Sequence, residues 1–523
     1  MTKYCLIVAA MPLLITTAAP AAATTDTATA TARGVVFEDT NGNGRRDPGE
    51  KGVPGAPVSN QDDVVLTDAD GRYELPVTTD TILFVTNPPE YASPAGEHNL
   101  PVFYYIHKPE GSPRLHYKGV DPTGPLPASV DFPLVRDDAP DRFRIVALAD
   151  TQPESSQEVR YLREDIVQEL IGTDASALVN LGDIMFDRLD LFDELNGSLG
   201  RIGIPVRSVI GNHDMNFDAP DDRDSDETFH RHYGPNYYSW NKGKVHFIAL
   251  DTVRWNGPDS DRKTGNYSGA LDETQLRWVA NDLKHVPADT LIVLLMHIPL
   301  YNDAGKPIEG AAKLLQILKD RPRVLALAGH WHRNDHRFYS KADGWEGDGS
   351  FHHVVCATAS GSWWGGPKDY RGIPLADQSD GTPNGYTFVD FDGNNYQVTF
   401  KAAGLDPAVQ MRVFTPDLLP RDPETSPGLV VNFFYGNERC KVEYSLNDGD
   451  FLPMQRERRR DPLAEVLYSG PTDAGKSWVN PALSTHIWTA TFAEPLARGL
   501  NIVRVRATDE YGRVWTAGRV FNR

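Results

Sequence analysis

Five apolar runs in the middle of this 523-residue chain each end in side chains able to hold a cation or move a proton. Asp150 and Gln152 follow RIVALA, Asp183 follows VNLG, and Asn212, His213 and Asp214 follow SVIG. His297 follows LLM, and His330 and His332 follow ALAG. Taken singly, each has a bland explanation: Asp at a strand end caps a helix, Asn-His makes a turn, and a lone His sits satisfied at the surface or in the core. Taken together, five strand ends deliver oxygen or imidazole donors in the order Asp, Asp, Asn-His, His, His-x-His, which points to metal binding. Such a set without thiolate suits Mn, Fe or Zn, and ligand type alone does not choose among them.

The elements that must carry these residues are legible in the same stretch. From Arg142 on, near-continuous Val, Ile, Leu and Ala runs (RIVALAD, ALVNLGD, VRSVIGNHD, VHFIALD, LIVLLMHIP, VLALAGHWH) alternate with amphipathic stretches, as in strands buried on both faces with intervening helices. Helices are predicted around 156–171 and 189–199. The expected fold of residues 141–403 is therefore α/β, and the carboxyl ends of its strands form the crevice where distant residues meet.

These motifs resemble those of the calcineurin-like metallophosphoesterases, D-x-H, G-D, G-N-H-D/E, H and G-H-x-H. Here they stand as DTQ at Asp150 to Gln152, GD at Gly182 and Asp183, GNHD at Gly211 to Asp214, MH at His297 and GHWH at Gly329 to His332. The chain is similar especially to exported bacterial members with flanking N-terminal and C-terminal β domains, whose SGSWWGGPKD-like stretch stands here at Ser360 to Asp369. The resemblance implies a β-sandwich flanked by helices for the central domain, and hydrolysis of a phosphomonoester or phosphodiester by a dinuclear metal centre. By position it implies that Asp150, Gln152, Asp183 and His332 hold one ion and that Asp183, Asn212, His297 and His330 hold the other. It also implies that His213 neutralises developing charge or protonates the leaving alkoxide, with Asp187 or Asp214 orienting its ring. Gln152 departs from the pattern: an amide oxygen stands where the family usually has imidazole, a weaker ligand for first-row transition metals. Trp363 and Trp364, with Tyr370 nearby, are candidates to stack on a leaving group or to pack their Gly-rich loop. Tyr237, Tyr238 and Trp240 read as packing residues.

Short β-type runs flank this domain. Residues 34–135 and 408–523 are each expected to form an all-β sandwich. In the first, DTNGNGRRDPGE places Asp39, Asn41, Asn43, Arg45, Asp47 and Glu50 at positions 1, 3, 5, 7, 9 and 12 of a structural calcium loop, with Gly44 at the turn. An Asn/Gly turn without metal is the alternative. Residues 1–23 read as a cleaved export signal and 24–33 as a polar spacer, so the protein is expected in the periplasm or secreted. No transmembrane segment is expected. Loss of Lys3 with the leader takes the formal net charge from −20 to −21, which disfavours general nucleic-acid binding. The RERRRD run at Arg456 to Asp461 reads as a solvated loop. Two alternatives stay open: a surface binding protein with a relic phosphoesterase domain, and an exported nuclease. The sequence carries no signal for oligomeric state.

Overall fold

The computed structural model describes residues 30–138, 140–259, 265–418, 428–468, 476, 478–492 and 496–522. The export signal expected at 1–23 lies outside them. Among these residues a small two-stranded sheet of the central region pairs Val253–Trp255 with Tyr267–Gly269, and eleven further strands build its two large sheets and are labelled here in chain order. They are β1 (Arg142–Leu148), β2 (Ala177–Leu181), β3 (Val206–Val209), β4 (Tyr238–Lys242), β5 (Val245–Ala249), β6 (Leu291–Leu295), β7 (Arg323–Ala328), β8 (Asp335–Phe338), β9 (Ser350–Val355), β10 (Gly385–Asp392) and β11 (Asn395–Ala402). One sheet runs β3-β2-β1-β10-β11, with β1, β2 and β3 parallel. The other runs β4-β5-β6-β7-β9-β8, with β5, β6, β7 and β9 parallel.

Alternation of side chains along a strand divides the core. Ile145, Ala147 and Ala149 pack with Phe247, Leu294 and Leu325 between the two sheets. Val146 and Leu148, on the opposite face of β1, pack with Leu162, Ile166, Leu195 and Leu199 from the helices outside. Both faces of these strands are therefore covered, which is why their sequences read as unbroken apolar runs. The predicted first helix is present as Ser156–Leu162 continuing through a wider turn to Gln168–Leu170. Ser155 caps it by accepting from Glu158 N. The second spans Phe192–Leu199 behind a single tight turn at Leu189–Leu191.

The flanking regions are sheet-rich, each with two four-stranded sheets among the described residues. In the first, Ala30–Glu38 pairs with Arg72–Val77, and Arg33 faces Glu74 in an ion pair of 2.7 Å. The expected spacer therefore stops short of residue 30, because Ala32 is fully buried in this sheet. In the C-terminal region a helix, Pro462–Tyr468, joins the strands. The charged run also differs from expectation: Gln455–Arg460 is a strand on the edge of a sheet, paired with Leu483–Ala490. Its Arg456 and Arg460 donate to the carbonyls of Thr485 and Pro481. Lys and Arg on an edge strand protect it from pairing with another chain. Cys356 and Cys440 are both free, and among the described residues no helix is long and apolar enough to cross a membrane.

The C-terminal region docks on the central one through a buried pair. His486 Nε2 lies 2.9 Å from Asp380 Oδ2, both side chains at most 1% exposed, and Asp380 also accepts from the backbone of Asn334 and Thr382. Burial alone would raise the Asp380 pKa, yet His486 and these N–H groups hold it below the usual carboxylate range. A depressed carboxyl contributes stability that is present above its unfolded pKa of about 4 and lost as pH falls through the folded value. Asp380→Ala is expected to cost about 3 kcal/mol at pH 7 and to flatten the loss of stability on acidification below pH 4, read from urea midpoints. An unchanged midpoint would remove this pair from the docking account.

Candidate metal centre

Asp150 follows β1, Asp183 follows β2 and Asn212 follows β3, all from the first sheet, whereas His297 follows β6 and His330 and His332 follow β7 of the second. The parallel bridge of Ala149 with Thr358 ties the sheets together beside this point. Both sheets thus aim the carboxyl ends of parallel strands at one place. Left-handed backbone turns the chain inward there: φ is 47° at Asp150, 36° at Gln152, 49° at Asp183, 77° at His330 and 49° at His332. Non-glycine residues in this region carry about 1 kcal/mol or more of strain each, and such residues gather at functional sites. The motif glycines make the crowding possible. A Cβ on Gly211 would sit 1.9 Å from Asp183 N, and one on Gly329 would sit 2.5 Å from Asp150 Oδ2.

The second-layer contacts decide which atoms face inward. His297 Nδ1 donates to Leu181 O (2.9 Å) and His332 Nδ1 donates to Gly361 O (2.5 Å). A carbonyl only accepts, so the proton of each ring lies on Nδ1 and the Nε2 lone pair points into the cluster. His297 Nε2 then lies 3.1 Å from Asp183 Oδ1, 3.0 Å from Asn212 Oδ1 and 3.2 Å from His330 Nδ1. Two oxygen acceptors, Asp183 Oδ1 and Asn212 Oδ1, and the His330 nitrogen thus crowd this lone pair in a buried cluster, and a proton or a cation relieves such convergence. Protonation expresses the same demand: burial disfavours charge on His297, yet Asp183 lifts its pKa to about 9. Burial and the neighbouring His297 keep His330 neutral, its pKa pushed down to about 4. Asp183, His297 and His330 each offer an atom within 4.8 Å of the others, and His332 Nε2 lies 3.4 Å from Asp150 Oδ1. These residues fit the metal ions that the sequence motifs imply.

His213 stands at the edge of this cluster. Its Nδ1 lies 2.6 Å from Asp187 Oδ1 and its Nε2 lies 3.9 Å from Asp183 Oδ2. Phe186 stacks on the ring at 4.6 Å. Burial works against charge here, but Asp183 and Asp187 raise the pKa to about 9. Tyr117, from the N-terminal region, donates to Asp187 O and so braces the partner of His213. A cavity of about 310 Å³ opens above, lined by Asp183, Asn212, His213, His330, Trp363 and Trp478 among others. Two larger clefts, about 800 and 790 Å³, lack any of the predicted metal or catalytic residues, so chemistry and not volume selects the site.

Three family models match the chain. The calcineurin-like phosphoesterase model matches residues 143–334, the model for the N terminal of calcineurin-like phosphoesterase matches 40–118, and that for the C terminal matches 353–515. The chain belongs to the calcineurin-like phosphoesterases. Membership supports metal-dependent phosphoester hydrolysis. Similar solved structures include a dimetal phosphatase from Danio rerio, 13% identical over 50% of this chain and 96% of that one, with a TM-score of 0.35. A purple acid phosphatase from yellow lupin (Lupinus luteus) seeds is 13% identical over 71% and 66%, with a TM-score of 0.34. An anchor of the inner membrane complex of Plasmodium is 13% identical over 50% and 84%, with a TM-score of 0.29. No curated protein gives a match.

Several expectations change in this phosphoesterase. Gln152 reaches the cluster through the wrong end for a ligand: its Nε2 donates to Asp183 Oδ2 (2.6 Å), and its Oε1 accepts from Trp363 Nε1 (2.6 Å). An indole N–H can only donate, so Trp363 sets the amide orientation. Asp214 does not orient His213. Its carboxylate accepts from the backbone of Ile184, Met185 and Gly211, and so ties the GD and GNHD turns together. Asp187 takes the orienting contact. The two tryptophans separate: Trp364 is 2% exposed, packed in the core near Tyr161, whereas Trp363 lies over His332 at 3.9 Å and lines the cavity. Tyr237, Tyr238 and Trp240 are buried, as packing residues should be. Phe186 and Trp478 were not foreseen. Trp478 stands alone in a polar stretch of the C-terminal region, and an isolated Trp among polar residues is the one signal that could have drawn notice.

In the calcium-type loop, Asp39 accepts from the backbone of Gly42, Asn43 and Gly44. Asn41 and Asn43 both donate to Asp47 Oδ2 and lower its pKa, while Glu50 accepts from Thr40 N and Asp47 N. Arg45 N donates to Asn43 Oδ1. The loop is closed by its own hydrogen bonds.

Proposed function

We propose that this chain is a dinuclear phosphoesterase that hydrolyses phosphate monoesters or diesters outside the cytoplasm. The observation that carries the reading is the convergence of Asp183, Asn212, His330 and the Nε2 lone pair of His297, with Asp183 shared toward Gln152 and His213. Asp183, Asn212, His297 and His330 would hold one ion, and Asp150, Asp183 and His332 the other. Gln152 joins the second set only with its amide turned over, away from Trp363. When bound, Mn, Fe or Zn ions supply Lewis acidity that neutralises phosphoryl charge and activates water. The chain does the rest. Asp187 keeps the His213 ring oriented with Nε2 toward the cavity, so a protonated His213 donates to the departing alkoxide oxygen. Phe186 and Trp363 cover His213 and His332 and keep bulk water from their outer faces. Hydrolysis of p-nitrophenyl phosphate and bis-p-nitrophenyl phosphate by metal-stripped protein, refilled separately with Mn, Fe, Zn and Ca, tests the reading. No release with any metal and either ester would sink it.

Because imidazole is the better donor, Gln152→His is expected to tighten binding of one ion by roughly tenfold, measured by competition with a chelator. Equal affinity would show that position 152 does not reach the metal. In the same reading the flanking regions are all-β sandwiches apart from the helix at Pro462–Tyr468, the domain limits are 30–135, 141–403 and 408–523, and the leader directs export. The Asp39–Glu50 loop binds structural calcium, which stiffens the N-terminal region. Calcium is expected to raise the melting temperature of the wild type and not of Asp39→Ala; an equal rise in both would dismiss the calcium assignment.

A further inference from the structure

Trp478 enters the catalytic cavity from the C-terminal region, and the reaction as derived does not use it. Its ring lies 6.1 Å from Phe186 in a stacked arrangement and 6.0 Å from Trp363 edge-on. Phe186 in turn covers His213 and Trp363 covers His332, so the three rings form one aromatic wall rising from the reaction centre. Despite these contacts Trp478 remains 48% exposed. A half-exposed indole beside a reaction centre offers a large flat apolar face for a ligand to cover.

The wall is anchored. Lys476 Nζ lies 2.6 Å from Glu154 Oε1 and 3.5 Å from Glu158 Oε1, which fastens the residue two before Trp478 to the central region. Tyr468 Oη bonds Asp377 O at 2.5 Å and lies 2.9 Å from Ser362 Oγ, which fastens the helix Pro462–Tyr468 beside the Trp363 turn. Charge narrows the ligand. Among the described residues lining the cavity there is no lysine or arginine. Lys476 lies 5.9 Å from the Phe186 centroid and 5.5 Å from that of Trp478, but its ammonium is engaged by the two glutamates. Beyond the phosphoryl group, the cavity therefore offers aromatic surface and not the cations that a second phosphate would need.

We propose that Trp478, with Trp363 and Phe186, forms a leaving-group subsite for a flat aromatic ring, so that the preferred substrates join one phosphoryl group to a ring-bearing alcohol. The proposal rests on the phosphoesterase reading for its catalytic meaning. The ring is an aryl group or a nucleobase, and matched ligands distinguish the two.

Calorimetric affinities of the metal-loaded full chain provide the test. One pair is 2-phenylethylphosphonate against 2-cyclohexylethylphosphonate, and the other, measured in the metal-loaded His213→Ala background so that turnover is slow, is a nucleoside 5′-monophosphate against ribose 5-phosphate. Within each pair the phosphorus end is shared and the flat ring is what differs. The flat-ring member of at least one pair is expected to bind about fivefold more tightly, the ratio falling toward one in Trp478→Ala and surviving in Trp478→Phe. The pair that shows the preference names the ring. Equal affinities within both pairs, or a ratio unchanged in Trp478→Ala, would overturn the subsite. If ring preference is found while no ester is hydrolysed, the subsite stands and the catalytic reading falls.

Discussion

Asp183→Asn is expected, in the proposed dinuclear reading, to reduce the metal content from two ions per chain to one or none, and to lower kcat/KM beyond the roughly 10- to 100-fold typical of an outer-layer partner. Asp183 is 2% exposed and central to the site: Oδ1 lies 3.1 Å from His297 and accepts from His213 N at 2.9 Å, while Oδ2 accepts from Gln152 at 2.6 Å. Burial alone would raise its pKa, but His297, His213 and His330 hold the carboxyl below the ordinary range, so it is a carboxylate throughout the working pH range. Asparagine conserves size but removes the charge that two cations would share. The fold should tolerate the change, because the amide oxygen still accepts from His213 N. Elemental analysis of the purified variant and its rate on p-nitrophenyl phosphate read the two effects separately. Full metal content with full activity would show that Asp183 does not bridge.

His213→Ala is expected to act differently, lowering kcat by about 10²- to 10⁴-fold with metal content unchanged. The ring is held by Asp187 and Phe186 and touches the cluster only at 3.9 Å, so its loss leaves the other donors in place. A proton donor matters most when the leaving alkoxide is basic. The loss should therefore be larger for an alkyl phosphate than for p-nitrophenyl phosphate, whose phenolate departs without much help. Asp187→Asn should give a smaller loss in the same direction, since the ring remains but its orientation loosens. An equal loss on both esters would argue that His213 stabilises charge and does not deliver the proton.

Much of this was legible along the chain because parallel strands buried on both faces write themselves as apolar runs, and each run ended in a donor. The donors Asp150, Asp183, Asn212, His297, His330 and His332 lie together, the first helix begins at Ser156 where it was expected, and the second begins at Phe192, behind a tight turn at Leu189–Leu191 that the periodicity had counted as helix. Turn glycines were legible for the same reason: GD, GNHD and GHWH need close backbone approach whatever surrounds them. The edge strand Gln455–Arg460 was not, because charge suggested solvent and the pairing partner Leu483–Ala490 lies far along the chain.

Residue type and local order thus gave the α/β class of the central domain and the family of phosphoester hydrolysis, and named the donors that the fold brings together. Tertiary structure alone decided which sheet supplies each donor, that Asp187 and not Asp214 faces His213, and that Trp363 turns the Gln152 amide. It also brought Trp478 to the cavity from a region with no local mark of catalysis. The physical reason is common to all four. A motif specifies what a side chain can do, whereas which hydrogen bond or ring contact it makes depends on partners up to 322 positions away, as between Glu154 and Lys476, and only packing selects them.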